Sequence, residues 1–316
     1  MSNIIGLVGG ASGKELTLQI QKKGYEVALV AGDSKDYGLN EANYSTVTDL
    51  LNSEKIYRWL KELSVDCVII GTGHRYAFAL AAFLQEKGMQ ININLVASNR
   101  AKEKKEFKDF ISSKGYNTPD YISIKSKKMY PPVEKIVKKI GLPCVVKATI
   151  DTMLPQKANT VAELDAEIAT TLESGSPAIV EQFIKGIDIT VFVSMNRNKA
   201  RALPVCYYSK AEDNNMIGFS HEEYIHKHLS PDYEERVMRY CERLAIDCAF
   251  EGLPRIDLMV VPDGDIYVLE ANSVGVTGIH PRHSAYCKGT VLYLKGIGID
   301  VAEIVVENAL QKFGLL

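Results

Sequence analysis

Short apolar runs alternate with helical spacing through the first hundred residues. Ile4-Ile5-Gly6-Leu7-Val8 is one such run, and Gly9-Gly10-Ala11-Ser12-Gly13 follows as a turn. Lys14 to Lys23 carries Leu16, Leu18 and Ile20 in a helix that stops at Gly24. Tyr25 to Val30 and Asp66 to Ile70 are two further runs. The second is closed by Gly71-Thr72-Gly73 ahead of a helix from Tyr76 to Glu86, and Ile93 to Val96 adds a last short strand. Strand, glycine turn, helix, strand is the order of a parallel sheet with crossover helices.

The pattern then changes. Asn99 is positioned to cap a helix from Ala101 to Lys114, with Phe107, Phe110 and Ile111 on one stripe and most of the lysines around it on a solvated face. Helices are expected over 133–140, 161–172, 231–245 and 301–313. Strands are expected over 142–147, 178–184, 187–195 and 202–208.

Arg255 to Asn272 is the stretch with the most chemistry. Two apolar runs flank Pro262-Asp263-Gly264-Asp265, which is turn chemistry and predicts a hairpin. With those residues as the loop, Val261 falls opposite Ile266, Asp257 opposite Glu270 and Arg255 opposite Asn272. Alternation puts 255, 257, 270 and 272 on one face. Opposed carboxylates repel, and a hard divalent cation is one reason to keep them. Two carboxylates and an amide suit Mg²⁺, which takes its remaining ligands from water and substrate phosphate. Arg255 beside that metal would face charge developing in phosphoryl or acyl transfer. The plain alternative is a solvated hairpin end with an Asp–Arg pair.

Whole-chain properties narrow the classes. The chain has 316 residues and a formal net charge of −2, without a basic excess or a run of like charge, which disfavours nucleic-acid and anionic-membrane partners. No apolar stretch reaches the roughly 18 residues a bilayer span needs. The beginning of the chain lacks the basic flank and cleavage site of a signal peptide. Six scattered cysteines without a CxxC pair read as reduced thiols of a cytoplasmic protein. His221, His226 and His228 cluster, but no acidic or Cys ligand completes a zinc set, so a polar loop is the reading there.

The glycine turn admits two readings. A turn into a helix N-terminus binds anions, and Asp33 after the second strand stands where a ribose ligand would in a dinucleotide oxidoreductase. The Gly9-Gly10-x-x-Gly13 spacing falls short of the full fingerprint. In the preferred reading the strand ends supply part of a small-molecule acceptor site. Gly10, Ser12, His74 and Arg75 are the candidates, the last two as carboxylate ligands or as two exposed residues at a helix start. Arg282 is a further candidate, as a clamp for a substrate carboxylate or phosphate or as a surface arginine.

Four stretches in order carry a family resemblance. They are Lys114 to Pro119, Leu142 to Lys147, Ile179 to Val191 and Arg255-Ile-Asp257 followed after twelve residues by Glu270-Ala-Asn272. This series resembles the ATP-grasp superfamily, nearest in pattern to D-alanine–D-alanine ligases and carbamoyl-phosphate-synthase-like ligases. The resemblance covers roughly 100 to 290. It implies α/β and α+β architecture: a Rossmann-like parallel sheet over 1–98, then a two-lobed ATP-grasp fold with a small lobe over 99–185 and a metal-bearing large lobe over 186–316.

The resemblance also implies roles. Lys104 and Lys147 would reach ATP phosphate, and Lys147 also the adenine. Glu181 and the Phe183–Ile184 backbone would hold the adenine edge, and Asp188 the ribose. Lys210 would aim at the phosphates. Asp257, Glu270 and Asn272 would bind Mg²⁺, with Arg255 the catalytic arginine. One departure stands out: the expected Gly/Ser-rich flap reads Ala148 to Lys157 without a glycine. Lys157 replacing backbone donors, a flap serving the acceptor site, and impaired ATP turnover are the three readings of that change. The resemblance implies an ATP-dependent carboxylate–amine ligase working through an acyl phosphate on a small acid such as an amino acid, and a homodimer is common among such ligases. The alternatives are an NAD(P) oxidoreductase and a degenerate nucleotide-binding module.

Overall fold

The structure is a computed structural model, and it describes residues 3–149, 154–196, 199–207, 228–261, 264–279 and 285–316. The predicted parallel sheet is present and is larger than the sequence patterns indicated. Strands β1 (Ile4–Val8), β2 (Glu26–Ala31), β3 (Tyr44–Val47), β4 (Cys67–Ile70) and β5 (Gln90–Ile91) run in the order β3-β2-β1-β4-β5. Both faces of its central strands are buried, which is why they read as unbroken apolar runs. Helix α1 (Gly13–Lys22) covers one face; α2 (Ser53–Glu62) and α3 (Arg75–Glu86) cover the other.

Two sequence expectations fail just after this sheet. Ile93 to Val96 is not a strand. Asn94 caps α4 (Leu95–Lys102), its Oδ1 accepting from the Val96 and Ala97 amides at 3.0 and 3.2 Å. A short apolar run cannot by itself choose between helix and strand, and the Asn cap decides it. Asn99 accordingly lies inside α4, and a second helix, α5 (Lys104–Ser113), starts after Glu103.

The small sheet is antiparallel, ordered β6-β9-β7-β8, from β6 (Tyr121–Ile124), β7 (Cys144–Ala148), β8 (Gln156–Ala158) and β9 (Ala178–Gln182). Cys144, Val146, Ala158, Ala178 and Val180 face α6 (Val133–Ile140) and α7 (Val161–Glu173) and form one core. By alternation Val145, Lys147, Ile179 and Glu181 line the other face.

The large sheet contains β10 (Ile187–Asn196), β11 (Lys199–Ala202), β13 (Arg255–Val260) and β14 (Ile266–Asn272), ordered β11-β10-β13-β14, with β12 (Cys206–Tyr207) also on β10. Over its described residues the expected strand 202–208 is thus two pieces: the Leu203 amide still donates to Phe192 O at 2.8 Å, and Pro204, with no N–H to give, breaks the ladder. Helix α8 (Pro231–Asp247) buries Val237, Cys241, Leu244 and Ala245 against Ile189, Val191, Ile256, Leu258 and Val268 on one face of the sheet, and α4 and α5 add Ala97, Phe107 and Ile111 to that core. The other face is covered at the Phe192 end by α10 (Val301–Phe313), which packs Val305, Val306, Leu310 and Phe313 between it and the parallel sheet. Helix α9 (Ala285–Gly296) precedes α10. Toward its other end this face carries Asp257, and it lies near enough to the small sheet that Lys147 and Glu270 act on each other's charge. Among the described residues no helix is long and apolar enough to cross a membrane.

Candidate active site between the two antiparallel sheets

The β13–β14 ladder brings the predicted quartet together. Arg255 pairs with Asn272 and Asp257 with Glu270, as the alternation argument expects. The turn end differs: Val260, not Val261, pairs with Ile266. Val261 is drawn into the turn, its amide donating to Asp265 O at 3.0 Å. The ladder then shifts between Asp257 and Leu258, so Leu269 is an extra residue on β14. The two offsets cancel before the site is reached. The bulge also resolves a conflict of parity, because a regular strand would put Val268 and Glu270 on the same face. Across it, Val268 enters the α8 core while Glu270 and Asn272 turn to the cleft.

Around these residues the charges are tightly paired. Arg255 Nε donates to Asp257 Oδ1 at 3.0 Å and Nη2 to Oδ2 at 2.7 Å, a fork on one carboxylate. Nη1 donates to Cys287 Sγ at 3.0 Å. The Thr190 hydroxyl, fully buried on β10 opposite Asp257, donates to Asp257 Oδ1. Asn272 Nδ2 donates to Glu270 Oε1 at 3.4 Å. Burial pushes the Asp257 carboxyl up and Glu270 adds to it, against the pull of Arg255. Burial also pushes Glu270 up, but Lys104, Lys147 and Arg255 together outweigh it and hold Glu270 below the usual carboxylate range.

From the small sheet, Lys147 Nζ meets Glu181 Oε2 at 2.8 Å, and both side chains are buried. The other oxygen of Glu181 meets Lys108 Nζ at 3.2 Å. Lys108 also donates to Thr118 Oγ1 at 2.7 Å, and that hydroxyl donates to Val268 O at 2.9 Å, one residue from the bulge. Burial lowers the Lys108 ammonium from the usual lysine range, with Glu181 opposing the shift. Burial acts the same way on Lys147, but Glu181, Glu270 and Asp188 reverse it and the net shift is upward. Glu181 is held below its ordinary value by the two lysines despite burial.

Lys108 departs from the solvated face expected of most lysines on this helix and is 1% exposed. Positions 104, 107, 108 and 111 fall at the i, i+3, i+4, i+7 spacing of one stripe, so the signal was in the sequence. Thr118, Thr190 and Cys287 were also missed. Their contacts depend on a strand register and a distant helix that no local pattern specifies.

The remaining candidates distribute as follows. Lys104 lines a cleft with Gly73, Ser98, Glu270 and Asn272. Asp188 is buried on the same face of β10 as Thr190. Phe183 and Ile184 follow β9 in the crossing between the lobes, and Lys157 Nζ lies 4.2 Å from the Phe183 ring centroid. Gly186 ends that crossing against Val260 O, 2.4 Å from where a Cβ would stand, so a side chain is excluded there. Gly10 has φ +52° beside Thr72, and Ser12 Oγ accepts from the Thr277 amide at 3.4 Å. Thus the first glycine turn touches the segment that follows Asn272. His74 caps α3 by accepting from the Tyr76 amide at 3.4 Å, and Arg75 is exposed beside it; the loop meets the cleft through Gly73. Lys210, Arg282, His221 and His226 lie outside the described residues, as does part of the glycine-free flap, residues 150–153. His228 packs its ring on Tyr207.

The dinucleotide reading does not survive. Tyr37 O lies 2.1 Å from where a Cβ of Gly13 would be, and Gly38 packs on the same turn. Gly13 thus serves a close approach of the loop after β2, and Gly9 packs on Gly13 itself, which gives the spacing a packing reason.

A parallel sheet followed by two antiparallel sheets facing each other, with lysines on one and paired carboxylates on the other, defines an ATP-grasp ligase. Residues 110–293 match the family described as D-ala D-ala ligase C-terminus, more than half of the chain, and the chain belongs to that family. It is 26% identical over 270 residues to a D-alanine–D-alanine ligase of Carboxydothermus hydrogenoformans, covering 79% of this chain and 84% of that protein. Its fold matches the D-alanine–D-alanine ligase from Bacillus anthracis complexed with ATP at a TM-score of 0.69 and 19% identity, over 99% of this chain and 98% of that one. An L-amino acid ligase from Bacillus licheniformis matches at a TM-score of 0.73 and 15% identity, over 98% and 74%. The chain is an ATP-dependent carboxylate–amine ligase.

Proposed function

We propose that the substrate is a small amino acid, activated as an acyl phosphate by ATP and joined to an amine with release of ADP and phosphate. The observation that carries this reading is the Asp257–Glu270 pair with Asn272 beside it, set on the sheet face opposite Lys147. The donor set suits a hard cation: two carboxylates on neighbouring strands, one held in its charged form, and an amide. Among the described residues no three His, Cys, Asp or Glu side chains converge on a metal position, so the amide is an essential member of this set. Asp257, Glu270 and Asn272 would hold Mg²⁺, which would supply positive charge against the phosphates. Arg255 is fixed by its fork on Asp257, with its third nitrogen on Cys287, so its charge is pre-oriented toward the transferred phosphoryl group. Lys104 and Lys147 approach the same space from α5 and β7. Glu181 carries both lysines, so the adenine edge falls to the Phe183–Ile184 backbone, with Asp188 for the ribose. Gly10 and Ser12 border the acceptor side, where Thr277 meets Ser12.

In this reading the chain divides at about 98 and 185 into the parallel-sheet unit and the two lobes, works in the cytoplasm with its thiols reduced, and pairs as a homodimer. The test is a phosphate-release screen with ATP, Mg²⁺ and panels of D- and L-amino acids and small acids. Phosphate released with one acid and one amine, with the coupled product found by mass spectrometry, is the expected result. Nucleotide-induced thermal stabilisation without phosphate release in any mixture would replace this reading with that of a degenerate module.

A further inference from the structure

Lys108 is buried behind the cleft and is in contact with Glu181 and Thr118. Placing an ammonium there is costly, and an apolar side chain would brace α5 against β14 at least as well. The arrangement of charge supplies a reason for the lysine. Among the described residues the cations Lys104, Lys108, Lys147 and Arg255 and the anions Glu181, Asp188, Asp257 and Glu270 act on one another around the cleft, which Lys102 also lines. Glu181 is in direct contact with Lys147. With Lys147 as its only partner, Glu181 would cancel the charge of the strand lysine, and the small lobe would present a neutral pair to a polyanionic ligand. Lys108 takes the second oxygen of Glu181 from the far side. The three-residue cluster then keeps one net positive charge, and of its two cations Lys147 is the one on the cleft face of the sheet.

We propose that Lys108 is a positioning residue for phosphate recognition: it neutralises Glu181 from behind, so that the positive charge of Lys147 is expressed toward the nucleotide phosphates. This rests on the nucleotide reading of the site and adds a residue that no nucleotide atom touches. Its distinguishing feature is the sign of its effects. A purely structural brace weakens binding whichever member is removed. A charge device weakens binding when Lys108 is lost and strengthens it when Glu181 is lost.

Calorimetric titration with MgADP and, separately, with adenosine tests this on the wild type, Lys108→Met, Glu181→Gln and the double variant. Lys108→Met should raise the MgADP dissociation constant by about tenfold, a factor in keeping with one unit charge acting at partly screened range. Adenosine, which has no phosphate, should bind that variant as it binds the wild type. The double variant should return MgADP affinity to within about threefold of wild type, because one net positive charge is restored. Glu181→Gln should bind MgADP more tightly than the double variant, since it carries one charge more. If Lys108→Met does not fold, the order of the other three proteins carries the test. Equal loss of MgADP and adenosine in Lys108→Met without recovery in the double variant, or weaker MgADP binding by Glu181→Gln than by the double variant, overturns the proposal. A wild type that binds adenosine but not MgADP overturns it as well; one that binds neither removes the nucleotide reading beneath it.

Discussion

Glu270 stands directly across the β13–β14 ladder from Asp257, and the ladder slips by one residue immediately beyond that pair. The two carboxylates are not equivalent. Asp257 is buried under the Arg255 fork and the Thr190 hydroxyl, whereas the Glu270 side chain remains 38% exposed at the cleft. One is anchored in protein and the other is presented to solvent. Their separate surroundings make their substitution a sharp test of the metal assignment.

Glu270→Gln should reduce Mg²⁺-dependent ATP turnover by at least about a hundredfold and lower the thermal midpoint of the unliganded protein slightly, because Lys104, Lys147 and Arg255 lose a half-exposed carboxylate that they hold in its charged form. Asp257→Asn should also lose turnover and should lower the midpoint further, since it strips the buried Arg255 of its hydrogen-bonded counter-ion. Phosphate release and differential scanning fluorimetry separate the two. Glu270→Gln with normal turnover at low Mg²⁺ would remove Glu270 from the site.

How far the site was legible in the sequence follows from the same ladder. The Asp257–Glu270 and Arg255–Asn272 pairings were readable because turn residues fix register locally and side chains alternate with a period of two. The bulge at Leu269 was not read, although the chain shows it: Ile266 and Val268 are apolar at the same parity as the polar Glu270 and Asn272, which a single regular strand cannot satisfy. The parallel sheet was legible from its buried runs. Tyr44–Val47 was not, being an edge strand with an exposed, polar pattern. Lys108 was missed because a lysine on a helix is usually solvated, and only the ion pair with Glu181, on a strand far along the chain, makes its burial tolerable.

The pH dependence of stability should centre on the same ion pairs. Glu181 has a folded-state pKa below its ordinary value of 4.5, set against burial by Lys108 and Lys147. The sign follows from linkage: a depressed carboxylate contributes stability that is complete above the unfolded value and is lost as pH falls through the folded one. Glu181→Gln, which leaves two buried lysines without their counter-ion, should therefore be less stable than wild type by about 3–5 kcal/mol near pH 7. That gap should hold down to about pH 5 and narrow below the ordinary carboxylate value, as the wild-type group takes up its proton. Urea unfolding of both proteins across pH 3 to 8 measures it. A gap that stays constant below pH 4.5 would mean that the substitution acts through packing and not through charge.

The cysteines give an independent probe of the site. None of the six forms a disulfide. Five are buried. Burial pushes the thiols of Cys67 and Cys144 up to about 11 and those of Cys206 and Cys248 up to about 12, and raises that of Cys241 as well. Thiolate is the reactive form, so these five should be slow toward an aromatic disulfide reagent at pH 8. Cys287 alone is partly exposed, and its sulfur lies 3.0 Å from Arg255 Nη1. The native protein should therefore show one fast-reacting thiol, absent from Cys287→Ser. Modification places a bulky group where the Arg255 guanidinium now rests, and it should abolish ATP turnover in the wild type while leaving Cys287→Ser active after the same treatment. MgATP, by holding Arg255 and the cleft in place, should slow the modification. Fast labelling of two or more thiols in the native state would contradict the buried packing of the other five, and full activity after complete labelling of Cys287 would show that Arg255 works without that contact.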